Sequence, residues 1–133
     1  MTPKIQIDEL PITEEFTQRK RLIQPRGELA LIEDGTVFRH LGYFSLKCGE
    51  DFYRGGHYHL KKIEHFYVIS GRILIRLRDL ETGEKSEVQV HTGDRVILHP
   101  NCAHRFEALE DAQVIEYYDA LYSKDDDILY QDF

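Results

Sequence analysis

From Arg26 onward, the sequence is a succession of short apolar runs separated by turns that contain glycine. The turns include Glu33-Asp34-Gly35, Ser70-Gly71 and Thr92-Gly93-Asp94. Many short, evenly spaced strands with little helix indicate an antiparallel sandwich or barrel. The predicted strands lie near Leu29–Ile32, Phe38–Leu46, Glu64–Ile69, Arg72–Arg78, Glu87–His91, Arg95–Leu98, His104–Ala108 and Gln113–Tyr118.

The first 25 residues have a different pattern. Ile5 and Ile7 alternate with polar residues, which predicts an edge strand or a loose arm. The segment from Thr13 to Ile23 predicts one or two helical turns, with Thr13 as the cap, that end before Pro25. With 133 residues, the chain has room for one domain. We therefore predict an N-terminal arm over residues 1–25 and one all-β domain over residues 26–133.

Composition excludes several classes of protein. Seventeen basic against twenty-four acidic residues give a net charge of −7, which argues against nucleic acid or an anionic membrane as the main partner. The two cysteines, Cys48 and Cys102, do not make a disulfide scaffold and fit a reducing compartment. The sequence shows neither a secretion signal nor an apolar run long enough to span a membrane, so we expect a cytoplasmic protein.

Four potential metal ligands recur at strand ends. His57 and His59 are two residues apart, so an extended backbone aims both imidazoles at one face. Glu64 begins the next predicted strand, and His104 begins another one forty residues later. A lone His-x-His would more often be an unrelated polar strand end, but four ligands in this context favour a shared pocket. Three imidazoles and one carboxylate suit Zn, Fe, Mn or Ni, with open positions for water or substrate.

Several neighbours of these residues are further candidates. Arg54 could bind a diphosphate through its planar guanidinium group. Tyr53 could donate a proton or stack on a ligand, and one of Tyr117 and Tyr118 should face inward. Cys102 is expected to be a small buried residue rather than a ligand. The acidic run Asp125-Asp126-Asp127 is expected to be a solvated turn or a helix start capped by Ser123.

Two segments of the chain resemble the paired motifs of the cupin superfamily, over about residues 26–118. The matching residues are His57, His59, Glu64 and Gly71 in the first motif, and Gly93 to Leu98, Pro100 and His104 in the second. Asn101 stands where cupins commonly have glycine. The resemblance implies a double-stranded β-helix, a small jelly-roll barrel whose mouth holds a metal on His57, His59, Glu64 and His104.

A closer resemblance concerns enzymes of nucleotide-sugar metabolism. Arg54-Gly55-x-His57-x-His59 resembles the active-site signature of cupin-type dTDP-4-keto-6-deoxyhexose 3,4-ketoisomerases, and Tyr122 to Phe133 resembles their C-terminal end. The segment from Arg54 through Glu64 is also similar to the C-terminal cupin of capsule-synthesis reductases that act on nucleotide-linked deoxysugars. That cupin implies sugar epimerisation with a bound metal, whereas the ketoisomerases lack the carboxylate at the Glu64 position and are not metal enzymes.

These resemblances imply an isomerase or epimerase that acts on a nucleotide-linked keto-deoxysugar in polysaccharide biosynthesis. Its catalytic residues would be His57, His59, Tyr53 and Arg54. Without a metal, His57 or His59 could be the base, whereas a bound metal would occupy their lone pairs and leave a tyrosine or water to move protons. The alternatives are a metal-dependent oxygenase of a small organic molecule and a non-catalytic sugar-binding cupin.

A homodimer is also expected. Cupins commonly pair, and an apolar N-terminal arm would be costly to leave in solvent. The residues on which this argument depends are Ile5, Ile7, Leu10 and Ile12.

Overall fold

The computed structural model describes residues 1–49 and 51–133 of the chain. Within them, one 3₁₀ turn, Lys124–Asp126, interrupts an otherwise all-β arrangement. The strands are Ile5–Glu9 (β1), Lys20–Gln24 (β2), Gly27–Leu31 (β3), His40–Leu46 (β4), Tyr53–Tyr58 (β5), Glu64–Asp79 (β6), Lys85–His91 (β7), Asp94–Leu98 (β8), Cys102–Tyr118 (β9) and Ile128–Leu129 (β10). No helix in these residues is long and apolar enough to cross a bilayer.

Two long strands, β6 and β9, pair antiparallel along nearly their whole length and run through both layers of the fold. One layer has the order β1-β8-β6-β9-β4, and the other has the order β7-β6-β9-β5-β10. Because side chains alternate across each strand, one set from each layer points into a shared core. The core includes Phe66 and Val114 from the first layer, and Ile75, Val90 and Phe106 from the second. The predicted all-β jelly roll is confirmed.

The predicted break at Ser70-Gly71 is a bend inside β6 and not a turn between two strands. The register between β6 and β9 shifts repeatedly from Val68 to Ile73, and such bulges bend a strand from one layer into the other. Gly71 has a φ of +99°, and a Cβ atom there would lie 2.7 Å from the Cα of Ala112. A residue without a side chain is therefore required where the two long strands bend together.

The predicted helical turns over Thr13 to Ile23 are wrong, because Lys20–Gln24 is strand β2. Residues 20–24 pair with β3 in a hairpin, so the backbone hydrogen bonds of this segment are made across strands. A helix this short has little stability of its own, and the segment forms its backbone hydrogen bonds in the hairpin instead. The hairpin also contacts the main sheet, where the side chain of Arg21 approaches Gly93 closely.

The N-terminal segment is part of the sheet. Strand β1 pairs antiparallel with β8, and Ile5 and Leu10 are only 5% and 2% exposed. Ile7 packs partly against the same core, whereas Ile12 remains exposed. The predicted exposed apolar arm is therefore wrong and does not support a dimer, because the chain itself covers most of this segment. Dimerisation stays a prediction without this support.

A buried carboxylate ties the N-terminus to the end of β6. Asp79 accepts hydrogen bonds from the Thr2 hydroxyl and the Lys4 ammonium, both at 2.7 Å, and from the backbone N–H groups of Glu81 and Thr82. Burial alone would raise the pKa of Asp79, but these hydrogen bonds outweigh it and hold the pKa well below its usual range. Asp79 is therefore ionised and satisfied in the folded protein.

Replacing Asp79 with asparagine is expected to lower the free energy of unfolding by about 2–3 kcal/mol at neutral pH, because the Lys4 ammonium loses its buried partner. Since the pKa of Asp79 is lower in the folded state, the stabilisation is present above the ordinary carboxyl pKa of 3.8 and is lost as pH falls below it. Urea unfolding at several pH values measures both effects. Glu110→Gln on an exposed ion pair is the control, and equal losses in both variants would contradict the prediction.

Candidate metal centre

The structure brings His57, His59, Glu64 and His104 together in the mouth of the barrel. Each offers one nitrogen or oxygen atom, and these four atoms lie within 4.8 Å of one another. His59, Glu64 and His104 are at most 4% exposed, whereas His57 lies closer to the surface. The four residues come from the end of β5, the loop after it, the start of β6 and β9. The fold thus brings residues that are up to 47 positions apart in the sequence into one cluster.

Gly55 and Gly56 determine the orientation of β5 at His57. Gly55 and Gly56 both have left-handed φ angles, +83° and +73°, and the register of β5 against β9 shifts at this point. After the shift, His57 lies directly opposite His104. A Cβ atom at Gly55 would lie 2.8 Å from the backbone oxygen of His104, so the strands approach closely only because the side chain is absent. The bulge therefore rotates β5 so that its histidine faces the cluster.

The loop before β9 fixes the second histidine. Asn101 has a φ of +62°, a left-handed conformation that asparagine tolerates better than other non-glycine residues. Its backbone N–H donates to the carbonyl oxygen of His59 at 2.8 Å. Asparagine thus serves where cupins commonly have glycine, and it ties the loop of His104 to the end of β5.

The ring orientations direct free nitrogen atoms at Glu64. Nδ1 of His59 donates to the carbonyl oxygen of Asp126 at 2.5 Å, and Nδ1 of His104 donates to that of Cys102 at 3.0 Å. A carbonyl oxygen only accepts, so each neutral ring carries its proton on Nδ1 and its lone pair on Nε2. These Nε2 atoms lie 2.9 and 3.1 Å from Oε1 of Glu64.

The three converging atoms lack partners. Nε2 of His59, Nε2 of His104 and Oε1 of Glu64 are buried and have no aligned hydrogen-bond partner among the residues that the structure describes. Buried polar atoms without partners are costly, and here all three present lone pairs to the same point. A divalent cation satisfies them together, so the residues fit a metal.

The charges of the cluster fit the same conclusion. Burial, together with the nearby imidazoles of His104 and His59, lowers the pKa of His57 to about 4, so its ring is neutral at pH 7. Burial opposes ionisation of Glu64, but the adjacent His104 and His59 rings outweigh it and hold the pKa of Glu64 below its usual range. For His59, contact with Glu64 outweighs burial and raises the pKa. The carboxylate and the imidazoles therefore stabilise a positive charge between them, and either a proton or a metal ion can provide that charge.

The C-terminal acidic run overlaps the 3₁₀ turn that begins after Ser123, although the Ser123 side chain makes no capping hydrogen bond. The predicted helix start is thus present without the predicted cap, and Asp126 and Asp127 lie against the cluster and are not fully solvated. Oδ1 of Asp127 is 2.6 Å from Nδ1 of His57. The carbonyl oxygen of Asp126 accepts a hydrogen bond from His59. The carboxylate of Asp126 accepts hydrogen bonds from the backbone N–H groups of Leu60 and Lys62. A hydrogen bond such as that from His59 to the Asp126 carbonyl oxygen orients a ligating imidazole. The one sequence signal for them was the resemblance of Tyr122 to Phe133 to the end of the ketoisomerases.

A cavity of about 290 Å³ opens from the cluster to the surface. Its lining residues are Phe44, Tyr53, Arg54, Gly55, His57, Glu64, Phe66, His104, Phe106 and Glu116. Arg54 donates from Nε to the carbonyl oxygen of Ser45, and its guanidinium stands over the ring of Phe44. Tyr53 is half-exposed at the rim, with Arg105 over its ring. Both predicted candidates thus line the cavity with the cluster.

Other candidates lie outside the cluster. Cys102 is 1% exposed, and burial raises the pKa of its thiol to about 11, which fits a packed residue. Tyr117 and Tyr118 are both buried, and alternation along β9 places Tyr118 on the same face as the core residue Val114, so one of the two faces inward as predicted. Tyr117 is covered on the outer face of the sheet, where its hydroxyl donates to Glu33 at 3.0 Å.

The family model described as the polysaccharide biosynthesis C-terminal domain matches residues 26–127. A search of curated proteins found no match to the chain.

Solved structures share the fold at low sequence identity. The 3,4-ketoisomerase QdtA from Thermoanaerobacterium thermosaccharolyticum, solved in complex with TDP, gives a TM-score of 0.78 at 18% identity over 100% of this chain and 93% of that one. The dTDP-4-dehydrorhamnose 3,5-epimerase from Sulfolobus tokodaii gives 0.73 at 19% identity over 96% and 77%. The capsular polysaccharide assembling protein CapF from Staphylococcus aureus gives 0.62 at 24% identity over 84% of this chain but 32% of that one. These matches confirm the predicted cupin-type fold.

Proposed function

Because the chain belongs to the polysaccharide biosynthesis C-terminal domain family, we propose that it is a metal-binding isomerase or epimerase of a nucleotide-linked keto-deoxysugar. The observation that carries the proposal is the convergence of three imidazoles and one buried carboxylate, with unpartnered atoms, in the mouth of the barrel. The solved structure of QdtA with TDP-4-keto-6-deoxyglucose supports the substrate class, since its fold is the same.

His57, His59, Glu64 and His104 would hold the metal, which could be Zn, Fe, Mn or Ni. When bound, a divalent metal stabilises negative charge on a carbonyl oxygen as a Lewis acid. The carbonyl oxygen of Asp126 would orient His59 for this role, and the carboxylate of Asp127 lies beside the ring of His57.

The remaining cavity residues would bind the sugar nucleotide. Arg54 uses Nε for Ser45, which leaves the outer nitrogens of its guanidinium for the diphosphate at the rim. Tyr53 at the same rim would contact the substrate through its phenol. Phe44, Phe66 and Phe106 form an apolar wall that excludes water from the sugar.

The test is proton exchange in D₂O, followed by NMR, with TDP-4-keto-6-deoxyglucose and the metal-loaded protein. We expect deuterium at a carbon next to the ketone and the appearance of a rearranged keto-sugar. Protein treated with a chelator and then dialysed is the control, and it should exchange far more slowly. Binding of the nucleotide sugar without any exchange would reject the proposed isomerase and favour a sugar-binding protein.

A further inference from the structure

The mouth cavity contains a second carboxylate, Glu116, which is not part of the metal cluster. Glu116 lies on β9, opposite Gly42 on β4 and Phe66 on β6. A Cβ atom at Gly42 would lie 2.9 Å from Oε1 of Glu116 and 3.3 Å from Nε2 of His40. The absence of a side chain at Gly42 therefore leaves the space that Glu116 and His40 share.

His40 lies beside this carboxylate. Its ring stacks on Tyr118 with centroids 4.1 Å apart and an angle of 8° between the planes. Its Nε2 atom lies 3.8 Å from Oε1 of Glu116 and has no hydrogen-bond partner within the described part of the chain. The imidazole thus has an unpartnered nitrogen beside the carboxylate of Glu116, and Glu116 lines the cavity.

Isomerisation requires a base that the metal does not occupy. When the cluster holds a metal, the free imidazole nitrogens of His57, His59 and His104 and one oxygen of Glu64 are its ligands, and a proton on Glu64 would remove the negative charge that holds the metal. The other titratable side chains that line the cavity are Tyr53, Arg54 and Glu116. An arginine does not lose its proton in proteins, and Tyr53 is half-exposed at the rim. A carboxylate can accept a proton, and Glu116 is the carboxylate in the cavity wall that is not among the proposed metal ligands.

We infer that Glu116 carries the proton between sugar carbons, with His40 as its positioning residue; the inference rests on the proposed function. The C–H bond next to the ketone breaks, its proton passes to Glu116, and its electron pair forms the double bond of an enediolate. Glu116 then returns the proton to the former ketone carbon. The adjacent hydroxyl loses its proton as the new carbonyl forms, and the former ketone oxygen gains one. The composition of the sugar is unchanged, so no oxidant or reductant is needed.

The test compares deuterium incorporation into TDP-4-keto-6-deoxyglucose by the wild type, Glu116→Gln and Glu116→Asp. We expect Glu116→Gln to lower the exchange rate by at least about 100-fold, as for loss of a general base, while TDP affinity and bound metal per chain stay at wild-type values. Glu116→Asp keeps the carboxylate and should retain part of the rate. Glu110→Gln, an exposed change on the same strand, should behave as wild type.

His40→Phe keeps a ring against Tyr118 and removes the nitrogen next to Glu116. We expect its kcat to lie between those of the wild type and Glu116→Gln, with KM unchanged. If the wild type is active and Glu116→Gln exchanges deuterium within a few-fold of its rate, the inference about Glu116 is overturned and the proposed function is not. A wild type that exchanges no deuterium would overturn the proposed function and this inference with it.

Discussion

Replacing Glu64 with glutamine is expected to weaken metal binding by more than about 100-fold. Glu64 supplies the negative charge among the four proposed ligands, since the three imidazoles are neutral when they bind a metal. Neutralising it removes the strongest electrostatic attraction for a dication in a buried site. Substitutions that only disturb the orientation of metal ligands already lower metal affinity by about 10–100-fold. Metal content after identical dialysis at neutral pH, measured by elemental analysis, gives the result.

Cys102→Ala is the matched control for this experiment. Cys102 is two residues from His104, but its buried thiol with a pKa of about 11 stays protonated and does not join the cluster. This variant should keep its metal. Circular dichroism on both variants separates loss of metal from loss of fold. Equal metal retention in Glu64→Gln and the wild type would show that the carboxylate is not a ligand, and His57 and His59 would then be free for proton transfer.

The largest loss of stability is expected for Gly71→Ala, at about 4 kcal/mol or more. Its φ of +99° is unfavourable for any residue with a side chain, and the new Cβ atom would lie within 2.8 Å of both Cα and Cβ of Ala112. The atoms it meets belong mainly to backbone in the bend of β6 and β9, which cannot move without disrupting both layers. Urea unfolding measures the loss.

Gly35→Ala isolates the cost of the backbone conformation. Gly35 has a similar φ of +84°, but a Cβ atom there would meet no atom within 4 Å among the described residues. We expect a loss of about 1–2 kcal/mol for this variant, from the left-handed conformation alone. If Gly71→Ala cost no more than Gly35→Ala, the close approach of the two long strands would be contradicted.

Strand periodicity predicted most of the barrel, but it did not show how the strands continue. Ser70-Gly71 has the composition of a turn, and so it predicted two strands where β6 is one bent strand. A glycine that permits a turn also permits a bulge, and only the pairing with β9 distinguishes them. The hairpin of β2 and β3 was missed for a similar reason, since its stability comes from cross-strand hydrogen bonds that the segment alone does not reveal.

The site was predicted where local spacing determines geometry. The two-residue spacing of His57 and His59 predicted their convergence, although His59 lies in the loop after β5, and Glu64 and His104 lie near the starts of two predicted strands. Asp126 and Asp127 could not be found in this way, because a run of acidic residues is typical of a solvated surface and they reach the cluster over more than 60 residues of chain. Glu116 and His40 meet through the pairing of β4 with β9, which the sequence does not specify.

X-ray absorption spectroscopy of the metal-loaded protein tests the metal centre most directly. We expect about one divalent metal per chain, surrounded by imidazole nitrogens and a carboxylate oxygen at about 2.0–2.2 Å. The multiple-scattering signal of the imidazole rings should come from His57, His59 and His104, and a His→Gln substitution at any of them should reduce this signal. A sulfur neighbour at about 2.3 Å, an imidazole signal unchanged in those variants, or no tightly bound metal at all would contradict the site.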